Sequence, residues 1–145
     1  MLYARINLEK TNYQLGCVDW DFIDHPNIDK LNSIYYQYCK HKKFKSVVPI
    51  FDSEYLDPNM DVIGYYHYNN LVAFSLIKRF YQDEQNVEAF QFAWDYKNPE
   101  LKLGFKTLEN ECALYKNLGY KWLYLGGADE YKSKFDGFEI LGPVK

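Results

Sequence analysis

The residues most open to a chemical reading run from Asp95 to Phe105, as Asp95-Tyr96-Lys97-Asn98-Pro99-Glu100-Leu101-Lys102-Leu103-Gly104-Phe105. A loop that ends in Gly104 at a helix start leaves several backbone N–H groups without intrahelical partners. Together with the helix dipole, such groups favour a phosphate or pyrophosphate. Lys97, Lys102 and Lys106 place cations around that mouth. The same residues equally suit a tight strand-to-helix connection with solvated lysines. A second cationic feature is the run Lys40-His41-Lys42-Lys43-Phe44-Lys45. It has the charge to grip the phosphates of an RNA such as tRNA, and it also suits a helix end whose cations match the dipole.

Other chemistries find less support. Cys17, Cys39 and Cys112 are far apart, odd in number and never spaced CxxC, which argues against a zinc site or a redox pair. No metal is expected, and a reducing cytoplasm fits these thiols. His25, His41 and His67 are scattered, and no Ser/His/Asp triad is evident. The net charge of −3 opposes a general nucleic-acid surface but leaves room for a local basic patch.

These residues need a scaffold. A chain of 145 residues is expected to form a single domain over 1–145. With 15 Tyr and 10 Phe it can bury enough surface to exclude bulk disorder. The aromatic excess suits either biased composition and core or stacking platforms for bases. Apolar runs such as Leu71-Val72-Ala73-Phe74 fall far short of the roughly 18 residues that a membrane span needs. The opening MLYARINLEK does not read as a secretory signal.

Periodicity places the elements. Residues 2–8 read as a strand and 11–25 as loop or short helix. An amphipathic helix is predicted over 26–40, with Asp24 as cap and Pro26 at its start. Residues 47–60 read as strand fragment and loop. Val62–Tyr68 and Leu71–Phe80 read as strands around an Asn69-Asn70 turn. Val87–Asp95 alternates, with Val87, Ala89, Gln91 and Ala93 on one face. The period then changes: Phe105, Leu108, Cys112, Tyr115 and Leu118 mark a helix over 101–118, stopped by Gly119. A strand at 122–125, a helical turn at 128–135 and a strand at 138–142 follow. A mixed, mostly antiparallel sheet flanked by helices is an α+β domain.

The β–β–β–loop–α–β order resembles the GCN5-related N-acetyltransferase (GNAT) superfamily. Its phosphate loop, Q/R-x-x-G-x-G/A, is matched here only by the final glycine of Pro99-Glu100-Leu101-Lys102-Leu103-Gly104. Within that fold, residues 61–142 resemble the C-terminal domain of arginyl-tRNA–protein transferases. The resemblance rests on Asn70-Leu71-Val72-Ala73-Phe74-Ser75, Phe92-Ala93-Trp94-Asp95-Tyr96 and Leu103-Gly104 before a helix with Glu109 or Glu111. Leu123-Tyr124-Leu125-Gly126 and Tyr131-Lys132-Ser133-Lys134-Phe135 complete it. The stretch between Gly126 and Tyr131 is shorter than in that family.

The resemblance implies transfer of an acyl group to an amine by direct attack. The donor would be acetyl-CoA, another acyl-CoA or an aminoacyl-tRNA ester, and the acceptor a small-molecule or peptide amine. Orientation, proton removal and oxyanion stabilisation would suffice, with no covalent enzyme intermediate. Tyr131 would protonate the leaving group; Glu88 and Asp95 would orient or deprotonate the amine. Phe92 and Trp94 would line the acyl or base pocket. Tyr96, Lys102, Leu103, Gly104 and Phe105 would border the donor, with Tyr124 at the cleft edge. The alternative is a non-catalytic GNAT-like binding protein with a degenerate phosphate loop. An open gap between strands 87–95 and 122–125 favours the enzyme.

Overall fold

The computed structural model describes residues 2–42, 50, 52–79, 85–94, 103–125 and 130–143, with all their side chains except those of 2, 3, 130, 131, 142 and 143. The elements in chain order are β1 (Leu2–Asn7), β2 (Asp19–Phe22), α1 (Ile28–His41) and α2 (Asp52–Tyr55). They continue with β3 (Met60–His67), β4 (Asn70–Arg79), β5 (Asn86–Trp94), α3 (Leu103–Asn117), β6 (Trp122–Tyr124) and β7 (Phe138–Pro143). The strands form one sheet in the order β2-β3-β4-β5-β6-β1-β7. Only β5 and β6 pair in parallel; the other neighbours are antiparallel. This is a GNAT-like α+β fold.

Local chemistry sets the boundaries. Helix α1 is capped by Asn27, not Asp24: the Asn27 side chain accepts from the Lys30 N–H at 3.2 Å. Pro26 precedes the cap, where its missing N–H costs nothing. The hairpin turn also falls one residue earlier than expected. His67 pairs with Asn70, so Tyr68 and Asn69 form the two-residue loop, with φ of 50° and 64°. Two consecutive positive φ values suit the twist of the flanking strands. Helix α3 ends as expected on Gly119, at φ 96°. The Gly119 N–H donates to Lys116 O at 3.1 Å and the Tyr120 N–H to Tyr115 O at 2.9 Å, which satisfies two terminal carbonyls.

Each face of the sheet has its own core. On one face α3 covers Ile6, Ile77, Val87 and Leu123 with Cys112 and Tyr115. On the other, Leu31, Tyr35 and Cys39 of α1 cover Phe74, Leu76 and Ala93. Full burial of such side chains contributes about 1.5–3 kcal/mol each. Leu118, expected on the buried stripe of α3, is 56% exposed because the helix has ended beneath it.

Three further expectations change. Residues 19–22, expected as loop or short helix, form edge strand β2 on β3. Residues 52–55, expected as strand fragment or loop, form the short helix α2. The alternation of β5 does not hold along its length. Leu76 pairs with Gln91 but Ile77 pairs with Ala89, so Phe90 is an inserted residue. This β-bulge reverses the side-chain sense beyond it. Val87 therefore points to the α3 side, and Ala93 to the α1 side.

Candidate functional site

The two parallel strands part company early. Asn86, Val87 and Glu88 pair with Trp122, Leu123 and Tyr124, and the pairing stops there. Beyond that rung β5 continues to Trp94 with β4 alone as its partner among the described residues. The bulge at Phe90 bends β5 where β6 ends. Among the described residues, no strand pairs with the β6-side edge of residues 89–94, beyond the last rung at Glu88 and Tyr124.

The apex carries charge. Paired residues of neighbouring strands share a face, so Lys78, Glu88, Tyr124, Arg5 and Glu139 form a row across five strands. The row lies on the α1 face, where α1 and α2 pack on β3, β4 and β5. Arg5 is held firmly. Its Nε donates to Glu139 Oε2 at 2.9 Å, its Nη1 donates to the Tyr124 hydroxyl at 3.2 Å, and its guanidinium lies 3.5 Å above the Trp122 ring. Burial opposes the Arg5 charge, but the bonds to Glu139 and Tyr124 outweigh it and raise its pKa. Glu88 is half-buried and has no ion-pair partner among the described residues.

Farther along the open edge stand aromatic rings. Tyr38 of α1 meets Phe92 and Trp94 at 6.3 and 6.4 Å, and His41 meets Trp94 at 6.4 Å. Lys42 lies 5.9 Å over the Tyr38 ring. The fold therefore sets the first half of the basic run beside the predicted pocket aromatics. Lys43, Phe44 and Lys45 lie outside the described residues.

The start of α3 is the other predicted wall. Leu103 is 3% exposed and packs in the core, so its backbone alone can face a ligand. Gly104 borders open space. Phe105 stacks on Phe135 at 5.7 Å, which gives its ring a packing role. Lys106 is exposed and, with Leu103, Cys17, Tyr66 and His67, lines a cleft of about 310 Å³. Asp95, Tyr96, Lys97 and Lys102 lie outside the described residues. Tyr131 lies in a short 3-10 turn, Glu130–Lys134, and its side chain is outside what the structure describes.

Beneath this site is a polar cluster in the α3-side core. The Glu111 carboxylate accepts from the Tyr65 hydroxyl at 2.5 Å and from Ser75 Oγ at 2.8 Å. Burial raises the Glu111 pKa to about 7; the two hydroxyls and Lys132 only partly oppose it. Desolvation and the neighbouring carboxylate push Tyr65 well above its ordinary value. Ser75 pairs with Phe92 across β4 and β5, so the cluster borders the splayed strand. Sequence reasoning noted Glu111 only as one of two resemblance positions. Its spacing from Leu108, Cys112 and Tyr115 was the available signal, because it puts a carboxylate on the apolar stripe. Arg5 was missed, since its partners are more than 100 residues away.

Among the described residues no group of three or more His, Cys, Asp or Glu side chains could hold a metal ion. No helix of the described residues is long and apolar enough to cross a membrane.

Comparison with known proteins locates the fold. No family model matches the sequence, and no curated protein matches it. Solved structures do match. The C-terminal DUF2156 domain of a candidate lysylphosphatidylglycerol synthetase from Agrobacterium fabrum superposes with a TM-score of 0.67 at 13% identity, over 88% of this chain and 46% of that one. The aminoglycoside acetyltransferase meta-AAC0020 from an uncultured soil metagenomic sample gives 0.57 at 17% identity, over 80% of each chain. A GCN5-related N-acetyltransferase from Kribbella flavida gives 0.59 at 13% identity, over 99% of this chain and 58% of that one. The chain thus spans about half the length of the first of these. At such identities the likeness concerns the fold alone, which is GNAT-like.

Proposed function

We propose that this protein transfers an acyl group from a thioester or aminoacyl ester to an amine. The observation that carries the reading is the early parting of β5 and β6, with a half-buried Glu88 at its apex. An extended acyl donor can lie along the edge of residues 89–94 that no described strand occupies and hydrogen-bond its backbone, as an added strand would. An ammonium acceptor can approach Glu88, which orients it and takes a proton. The acyltransferase architecture of the structural neighbours supports the same reading.

Two donor classes fit the edge. For acyl-CoA, the pyrophosphate would meet the first N–H groups of α3 and Lys106. For aminoacyl-tRNA, the basic run beside Tyr38 and Trp94 would take phosphate and base. Binding distinguishes them. Millimolar CoA is expected to raise the melting temperature if acyl-CoA is the donor. If tRNA is the donor, affinity is expected to fall steeply with salt, and charge reversal at Lys42, Lys43 and Lys45 to lower it at least about tenfold. Neither CoA nor tRNA binding, together with no transfer of acetyl or aminoacyl groups to spermidine or lysyl peptides, would sink the proposal. Binding without transfer would favour the non-catalytic alternative.

A further inference from the structure

The cleft of about 310 Å³ at the start of α3 has two unlike walls. One is regular structure: the end of the β3–β4 hairpin, Leu103 and Lys106. The other is Gly16, Cys17 and Val18, irregular backbone that runs into β2 at Asp19. We propose that residues 14–18 are a movable strap that shuts this cleft and lifts to admit the phosphate-bearing end of an acyl donor. The inference rests on the acyl-CoA form of the reading above and goes beyond it by assigning a gate.

Both ends of the strap are anchored. Thr11 is buried, its N–H and hydroxyl both donate to Leu8 O, and Lys116 Nζ donates to its carbonyl. Tyr13 packs on the Phe135 ring at 5.5 Å, and its hydroxyl accepts the Asp136 N–H at 2.9 Å. At the other end Asp19 is already paired with Tyr66 in the sheet. Between these anchors Gln14, Leu15, Gly16 and Cys17 are exposed, and Val18 alone packs on the core. A segment with so few apolar contacts opens at low cost. Gly16, at φ 85° with open space around it, gives the backbone a point at which to swing.

Two side-chain ties hold the strap shut against α3. The Cys17 thiol donates to Lys106 O at 3.3 Å, and the Gly16 N–H donates to Asn110 Oδ1 at 2.8 Å. A thiol is a weak donor. The second tie is compromised as well. Asn110 is fully buried, and its Nδ2 lies near the Tyr65 hydroxyl without a well-formed hydrogen bond. A buried donor so poorly paired is costly, and water that enters as the strap lifts can satisfy it. The shut state is therefore only modestly favoured. Leu103, Lys106 and Asn110 recur every three or four residues and share one side of α3. Lifting the strap bares that side, with Lys106 and the Asn110 amide able to meet phosphate oxygens.

The test ties the strap down. Lys106→Cys sets a second thiol on the cleft that Cys17 lines, while Cys39 and Cys112 are buried. Dibromobimane joins the two accessible thiols, and mass spectrometry confirms the bridge. Monobromobimane on Lys106→Cys combined with Cys17→Ala supplies the label without the bridge. Nitrogen-15 relaxation dispersion of the wild type is expected to show microsecond-to-millisecond exchange at residues 14–18 and none at 11, 13 or 19–22. The bridge is expected to abolish it. Cys17→Ala, which lacks one tie, is expected to raise the lifted population at least about twofold. In stopped flow the bridge is expected to slow acetyl-CoA association at least about tenfold relative to the labelled control. No exchange at 14–18, or association that the bridge leaves unchanged, overturns the strap. Should the bridge not form, Cys17→Ala decides: association at least about twofold faster supports the strap, and an unchanged rate overturns it. A wild type that binds no acetyl-CoA overturns that donor instead, and the dispersion profile then decides whether the strap moves.

Discussion

Glutamine at position 111 is expected to remove a pH-dependent loss of stability that the wild-type protein carries. The carboxyl of Glu111 lies under the sheet with two hydroxyls bonded to one oxygen. Burial raises its pKa from the ordinary 4.5 to about 7. Below 4.5 the group is protonated in both the folded and the unfolded chain, and its stabilising effect is complete. Between 4.5 and 7 the unfolded chain ionises first, so stability falls as pH rises. At about 1.4 kcal/mol per pH unit the loss across this window is about 3 kcal/mol. The Glu111→Gln variant has no charge to bury, and its amide oxygen can still accept from Tyr65 and Ser75. Urea unfolding at pH 4.5 and pH 8 should therefore show the variant gaining about 3 kcal/mol on wild type between the two. A difference that stays constant with pH would show that the carboxyl does not titrate in this interval.

Alanine at position 137 is expected to be among the most damaging single changes. Gly137 has φ of 75°, and a Cβ there would stand 2.4 Å from the carbonyl oxygen of Asn7. That oxygen belongs to backbone, which no side-chain rotation can move aside. The Gly137 carbonyl also accepts from the Asn7 N–H at 2.9 Å, which ties the approach to β7 to the end of β1. The left-handed backbone alone costs an L-residue about 1–2 kcal/mol. With the clash, the total is expected to reach about 3 kcal/mol, a melting temperature lower by roughly 10 °C. Gly104 provides the contrast: it lies in α3 with open space around its Cα. Gly104→Ala is expected to leave the melting temperature unchanged or slightly higher. Equal melting temperatures for the two variants would refute the close approach at Asn7.

Much of the fold was legible because its signals are local. The β3–β4 hairpin and strand β5 declare themselves by β-branched and aromatic runs, and α3 by its three-and-four spacing and Gly119. Other features depend on partners that sequence does not reveal. Strand β2 carries Asp19, Trp20 and Asp21 and is mostly exposed at the sheet edge, so no apolar alternation marks it. The bulge at Phe90 leaves no local sign, yet it decides which face Ala93 takes. The site divides the same way. Glu88 was visible as a strand carboxylate. Its neighbour Tyr124 was visible only as a cleft-edge aromatic, because the guanidinium that bonds its hydroxyl comes from the far end of the sequence.

Strand β1 has a consequence for the order in which the molecule assembles. Arg5 lies 119 residues from Tyr124 and 134 from Glu139 along the chain, yet it bonds to both. The β3–β4 hairpin closes a two-residue loop and can form on the order of microseconds. Insertion of β1 between β6 and β7 closes loops of more than 100 residues, whose entropy is repaid only after the rest of the sheet exists. Pulse-labelled hydrogen exchange should therefore find the amides of β1 protected after those of β3 and β4. Protection of β1 first would contradict this order. A partly folded chain could then hold its central hairpin before Arg5 reaches Tyr124 and Glu139.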